Sequence, residues 1–186
     1  MRCPLSPILI LVVACLHKGF VKEAKRLIRL ATQNDLFQLM SVYKAARQFM
    51  RESGNPNQWP EGHPSEAMLC ADIEAGHLYV EEVDEEVHAA FAFILGEDPT
   101  YGYIEAGKWL SDHPYGTIHR LASDGTTSGF FTRCVAYCSA VCSHLRVDTH
   151  HDNRVMQHLA EKEGFVRCGV IYLANGSPRI AYEKLE

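Results

Sequence analysis

Leu145-Arg146-Val147-Asp148-Thr149-His150-His151-Asp152-Asn153-Arg154-Val155-Met156-Gln157-His158-Leu159-Ala160, followed by Gly164-Phe165, is the stretch whose reading decides the fold. Its first six residues alternate apolar and polar, as a half-buried strand does. Asp152 or Asn153 is placed to cap a helix, whose apolar stripe is Val155, Met156, Leu159 and Ala160. Gly164 supplies a left-handed stop, and Phe165 to Leu173 is rich enough in aromatic and β-branched residues to return to a sheet. Strand, helix and strand follow one another in about thirty residues, the size of one βαβ unit.

Immediately upstream, Tyr115 to Ser123 reads as another strand. It runs into Asp124-Gly125-Thr126-Thr127-Ser128-Gly129 and a helix from about Gly129 to Ser143. The first amides of a helix lack intrahelical acceptors, so a strand-to-helix turn of this kind attracts anions. Further back, Leu27 to Ala31 predicts a short strand. Thr32-Gln33-Asn34-Asp35 opens a helix with Leu36, Leu39, Met40, Tyr43 and Met50 on one face, ending near Gly54. A Gly, Pro and Asn-rich loop with Trp59 and His63 precedes a second helix from Ser65 to Glu74. His77 to Glu82 and Val87 to Leu95 form an antiparallel hairpin about an acidic turn. The connection from Gly96 to Pro114 holds Tyr101, Tyr103, Glu105 and Trp109, and long loops within compact domains are usually functional.

The chain has 186 residues, 47% of them hydrophobic, which suits one domain of ordinary size. Seven cysteines without framework spacing fit a reducing, cytoplasmic setting. Cys134, Cys138 and Cys142 recur along a single helix face, where thiols form a row that cannot converge on a metal, so core packing is expected and no metal site. His150-His151-Asp152 reads as turn and cap material. Beyond Arg29 the net charge is −10, an acidic surface that disfavours nucleic acid and favours an amine ligand. The apolar run Ile8 to Leu16 after Arg2 is too short for a stable membrane span and similar in length to a signal-peptide core. Residues 1–26, apolar and then basic, are taken as an extension outside a domain of residues 27–186.

Taken together, the strand Thr117 to Ser123 with its turn and the segment Asn153 to Phe165 resemble the GNAT superfamily of acyl-CoA N-acyltransferases, over roughly residues 27 to 185. The resemblance implies a mixed α/β fold: a central, mostly antiparallel sheet of six or seven strands flanked by about four helices. Tyr115–Ser123 and Leu145–His150 would splay to admit CoA. It further implies that the main chain of Leu121, Ala122 and Ser123 binds pantetheine. The turn Thr126, Thr127, Ser128, Gly129, Phe130 and Phe131 would hold the pyrophosphate, with the Asn153 helix beside it. Thr126 stands where the family has Gln or Arg, Phe131 where it has a small residue, Met156 for an alanine and Ala160 for a tyrosine that donates a proton to the departing thiolate. Ser123, Tyr172 or water would take over that last role.

The expected reaction is direct transfer of acetyl from acetyl-CoA to a primary amine, on a small molecule or a peptide, without a covalent intermediate. Such an amine, with a pKa of about 10, must lose a proton before attack. His119, two residues before Leu121 and on the same strand face, is the first candidate base, and Glu105 the second. Trp59, Tyr101, Tyr103 and Trp109 are the candidate acceptor contacts. A homodimer is a common assembly for such a domain. The rival expectation, motivated by Phe131 and Ala160, is an acyl-CoA-binding sensor without catalysis.

Overall fold

The computed structural model describes residues 24–185, so the extension assigned to residues 1–26 lies almost wholly outside the described residues. Seven strands form one open sheet in the order β1-β2-β3-β4-β5-β7-β6. They are β1 (Arg26–Leu30), β2 (Leu78–Val83), β3 (Glu86–Leu95), β4 (Gly116–Ser123), β5 (His144–Thr149), β6 (Val166–Tyr172) and β7 (Pro178–Leu185). Every neighbouring pair is antiparallel except β4 with β5. Four α-helices cover it: α1 (Leu36–Glu52), α2 (Glu66–Glu74), α3 (Phe130–Ser139) and α4 (Arg154–Lys162). Among the described residues no helix is long and apolar enough to cross a membrane.

Local chemistry sets each boundary. The Asp35 carboxylate accepts from the Thr32 amide at 2.7 Å, closing the turn that leads into α1. Asn153 Oδ1 accepts from the Met156 amide at 3.0 Å, so Asn153 rather than Asp152 caps α4. Gly164, at φ +85°, ends that helix in the left-handed region. Asp84 and Glu85 both take positive φ, the two-residue turn that matches strand twist in a hairpin.

Of three hydrophobic clusters among the described residues, two lie on opposite faces of the sheet, and a third gathers Tyr101, Tyr115, Ile171 and Ala181. Leu39, Val42 and Tyr43 of α1 and Leu69 of α2 pack on Leu78, Val80, Ala90 and Ala92. Phe130, Phe131, Cys134 and Cys138 of α3 and Met156 and Ala160 of α4 pack on Phe91, Phe93, Ile118, Leu145, Val147 and Tyr182. Cys134 and Cys138 are therefore buried hydrophobes, and burial pushes the Cys134 thiol well above the ordinary range.

Two expectations are corrected. The third helix stops at Ser139 rather than Ser143, because Val141 and Cys142 turn back onto the Cys138 carbonyl to reach β5. The strands flanking α4 do not pair as a βαβ unit; β7 enters between β5 and β6, antiparallel to both. β7 carries Arg179 and Glu183 inside the protein, where Glu183 accepts from His144 Nε2 at 2.5 Å and Arg146 Nε at 2.9 Å.

Candidate active site

β4 and β5 hydrogen-bond only at their beginnings: the register runs Gly116 with Leu145, Thr117 with Arg146 and Ile118 with Val147, and stops. From His119 onward the two strands part. On its other side β4 carries a bulge, since Ala92 pairs with His119 and Ala90 with Ala122, leaving Arg120 and Leu121 opposite Phe91 alone. Arg120 sits at φ +51°, and the bulge is fixed from both ends of the residue. The Tyr43 hydroxyl donates to the Arg120 carbonyl at 2.9 Å, and the Arg120 guanidinium holds Asp72 of α2 at 2.8 Å.

Two cavities open at this fork. One, of about 310 Å³, lies between α1, the end of β4 and the starts of α3 and α4. Leu121, Ala122, Ser123, Thr127, Gly129, Phe130, Phe131 and Asn153 line it. Gly129 caps α3 at φ +71°, so the first amides of α3 lack helical acceptors here. Thr126 and Ser128 do not line the cavity: Thr126 Oγ1 is bonded to Asp124 at 2.7 Å, and the Ser128 carbonyl accepts from Arg133 at 2.7 Å. The bulk of Phe131 is turned into the core, its ring 6.1 Å from that of Phe165. No Lys or Arg lines this cavity, and Asp124 does, so a diphosphate there would rely on main-chain donors.

The other cavity, about 380 Å³, lies on the far side of Leu121, Met50, Asn153 and Met156, which line both. It contains His119, Asp98, Asp148, Arg120, Arg179, His63 and Trp59. His119 Nε2 is 2.9 Å from Asp98 Oδ2, and its Nδ1 is 3.9 Å from Asp148 Oδ1. Burial acts to raise the Asp98 pKa, but hydrogen bonds from His119 and Thr100 outweigh it and bring it down to about 2. An ionised carboxylate only accepts, so Nε2 carries the hydrogen, and in the neutral ring Nδ1 keeps its lone pair. Asp98 is held by its other oxygen, which accepts from the Thr100 amide and hydroxyl at 2.8 and 2.6 Å. Asp148 is positioned by the Tyr101 hydroxyl, which donates to it at 2.8 Å.

Of the predicted acceptor contacts, the structure brings only Trp59 to the cavity wall, where it also meets Tyr43 and His63. Tyr101 is buried behind His119, and burial, then Asp148, drives its hydroxyl pKa well up. Trp109 and Tyr115 enclose the Arg146 guanidinium, 3.9 and 3.8 Å from the two ring centroids. Tyr103 is exposed beside Tyr172.

Glu105 is a correction. It could act as base only if the long loop folded over the site, yet that loop lies along β6, with Glu105 and Val170 exchanging main-chain hydrogen bonds of 2.8 and 2.9 Å. A Cβ on Gly107 would stand 1.8 Å from the Cys168 carbonyl oxygen, which measures how closely the loop lies on that strand. The Glu105 carboxylate is taken by the Tyr172 hydroxyl, so Tyr172 is also withdrawn as proton donor. Ser123 remains at the fork, its Oγ accepting from the Gly125 amide at 3.1 Å. Ala160 faces the core, fully buried, so no side chain at that position would reach the cleft without repacking. At the turn before α4, His150, His151 and Asp152 place donor atoms within 4.8 Å of one another. His151 Nε2 lies 2.9 Å from Asp152 Oδ1, and Asp152 also accepts from Asn57 at 3.2 Å.

Sequence reasoning missed Asp98, Asp148, Arg179 and Gln58. The Asp98-Pro99-Thr100 run carried a signal, since Asp before Pro commonly caps a turn. Gln58 had none: its Oε1 accepts from Asn55, Asn153 and Thr149 at 2.9, 2.8 and 3.2 Å, which latches the loop of Trp59 onto the cap of α4.

An open sheet with two central strands parted beside a turn of main-chain donors is the architecture of an acyltransferase, and the solved structures agree. A GNAT-family acetyltransferase from Streptococcus agalactiae is 32% identical, covers 87% of this chain and 95% of its own, and superposes with a TM-score of 0.72. A GNAT-family acetyltransferase from Listeria monocytogenes matches at 16% identity over 87% of this chain and 95% of its own, with a TM-score of 0.65. A Salmonella typhimurium acetyltransferase that modifies the N-terminal serine of a ribosomal protein shares the fold at 13% identity, 87% and 95% coverage and a TM-score of 0.59. No protein-family model matches the chain, and neither does any curated protein. The chain belongs to the GNAT family of acetyltransferases.

Proposed function

We propose that this acetyltransferase takes acetyl from acetyl-CoA and passes it directly to a primary amine. The observation that carries the proposal is the parting of β4 and β5 after Ile118 and Val147, with one cavity on each side of Leu121. The donor side offers an unpaired strand edge, to which an amide-bearing arm adds much as a strand does. It also offers the amides that begin α3, suited to a diphosphate. A main-chain amide at the bulge of Arg120 and Leu121 would stabilise the oxyanion of a tetrahedral intermediate.

The acceptor enters from the side of His119. Its ammonium gives one proton to His119 Nδ1, the nitrogen attacks the thioester carbon, the C–N bond forms and the C–S bond breaks. The second proton of the nitrogen passes through Ser123 or water to the departing thiolate, leaving a neutral amide and a free thiol, and the proton on His119 returns to solvent. Asp98 holds the imidazole in the tautomer that makes Nδ1 the base, and Asp148 faces the same nitrogen. No cysteine lines either cavity, consistent with direct transfer. Titration of CoA by calorimetry, followed by thiol release with a panel of amines, tests the proposal. Binding and release are expected, and the absence of both overturns it. Binding without release on any amine would instead favour a sensor.

A further inference from the structure

We infer that the acceptor carries a carboxylate next to its amine, as an α-amino acid with an apolar body does. This rests on the acetyl-transfer proposal and narrows its substrate class. Beyond His119 and Asp148 the cavity turns cationic. Arg179 Nε lies 3.8 Å from Asp148 Oδ2, on the opposite side of that carboxylate from His119. The guanidinium is anchored by Nη1 to Ser177 Oγ at 2.6 Å and the Pro178 carbonyl at 2.9 Å, and by Nη2 to the Gln58 carbonyl at 3.0 Å. Its Nε hydrogen and second Nη2 hydrogen make no hydrogen bond among the described residues. A buried, fixed cation with two donors in hand is suited to a carboxylate.

His63 lines the same cavity. Its pKa is lowered by burial first, and then by the positive charges of Arg120, Arg47 and Arg179. Of these, Arg120 and Arg179 line the cavity; Arg120 is paired with Asp72 at 2.8 Å, so Arg179, 3.8 Å from Asp148, is the cation with hydrogens unused, inside a domain whose net charge is strongly negative. A simple alkylamine would leave Arg179 with Asp148 alone, beyond hydrogen-bond distance, and a polyamine would bring a second cation against it. An α-amino acid sets its ammonium between His119 and Asp148 and its carboxylate toward Arg179. Trp59, Ile94, Leu121 and Leu173 leave room for an apolar side chain.

The test uses the full chain with acetyl-CoA and three acceptors of one shape, phenylalanine, phenylalaninamide and phenethylamine, with released thiol as readout. The expected kcat/KM is about 10- to 100-fold higher for phenylalanine than for the amide, the range of a lost charged hydrogen bond. Arg179→Met is expected to raise KM for phenylalanine about tenfold or more, leave KM for acetyl-CoA unchanged, and be partly rescued by Arg179→Lys. Equal rates on all three acceptors, or a preference for the amide or a peptide N-terminus, overturn the inference while acetyl transfer stands. Turnover of other amines but none of these does the same. Failure of every amine together with failure to bind CoA overturns the parent proposal, and this one with it.

Discussion

Asp98→Asn tests the proposed contribution of the carboxylate hydrogen-bonded to His119 Nε2. One oxygen of Asp98 accepts from the Thr100 amide, the other from His119 Nε2. In the asparagine variant the single carbonyl oxygen stays on the Thr100 amide, because turning it away would set two donors against each other. The new amide hydrogens then face Nε2, and the imidazole answers by moving its hydrogen to Nδ1, the atom required as base. General-base catalysis is worth about 10²–10⁴ in rate, and some activity survives because the tautomers interconvert. A fall in kcat/KM of about 10²–10³, or about 2.7–4 kcal/mol of transition-state stabilisation, is therefore expected. Thiol release under limiting amine measures it, with CoA affinity by calorimetry unchanged. Since Asp98 acts through His119, the double variant with His119→Ala is expected to be no slower than His119→Ala alone. A loss under twofold in Asp98→Asn, or full additivity in the double variant, would refute the assignment of Nδ1 as the base.

Tyr43→Phe removes the hydroxyl that holds the Arg120 carbonyl inside the protein, and is expected to cost about 1–3 kcal/mol in urea unfolding together with a lower kcat, as the bulge loosens. Asn153→Ala removes both the cap of α4 and its hydrogen bond to Gln58. A loss of about 0.5–2 kcal/mol is expected from the cap alone, with KM for the amine raised as the loop of Trp59 detaches. Glu105→Gln is expected to leave kcat/KM within about twofold across pH, since the side chain lies on β6 and lines neither cavity. Acid stability follows from depressed carboxylates: Asp98, at about 2, contributes fully above the ordinary value of about 4 and loses that contribution as pH falls through its folded value. Asp35, lowered chiefly by Arg29, acts in the same direction. The urea midpoint measured between pH 5 and 2 should fall less steeply in Asp98→Asn than in the parent, and parallel curves would count against the shift.

Most of the architecture was legible because it is written in short-range chemistry. The cap at Asn153, the stop at Gly164 and the period of Met156 and Ala160 act within one helix, and the strand parting follows from the resemblance they carry. What escaped was written at long range. β7 escaped assignment because it is covered by a strand on each side and its period is broken by Arg179 and Glu183, which are buried through partners contributed by β5 and by loops distant in sequence. The aromatics between Gly96 and Pro114 were expected at the acceptor because long loops within compact domains are usually functional. Of these, Trp109 lies on Arg146, a cation whose burial cannot be anticipated from an alternating strand, Tyr101 is buried between Trp109 and His119, and Tyr103 is exposed.

The same limit explains the site. His119 could be chosen by its position relative to Leu121, a relation within one strand. The charged groups gathered around it come from other elements: Asp98 from the turn after β3, Asp148 from β5 and Arg179 from β7. Each of these three charges has a structural partner as well, in Thr100, Tyr101 and Ser177 respectively, so each would pass in the sequence for an ordinary cap or surface charge. Their convergence on one cavity depends on β4 and β5 separating after Ile118, because strands paired to their ends would bring neighbouring backbone into the space these side chains face. On the proposed reading the parted strands do two things at once: they leave a main-chain edge for the donor, and they open the far side of Leu121 to the acceptor.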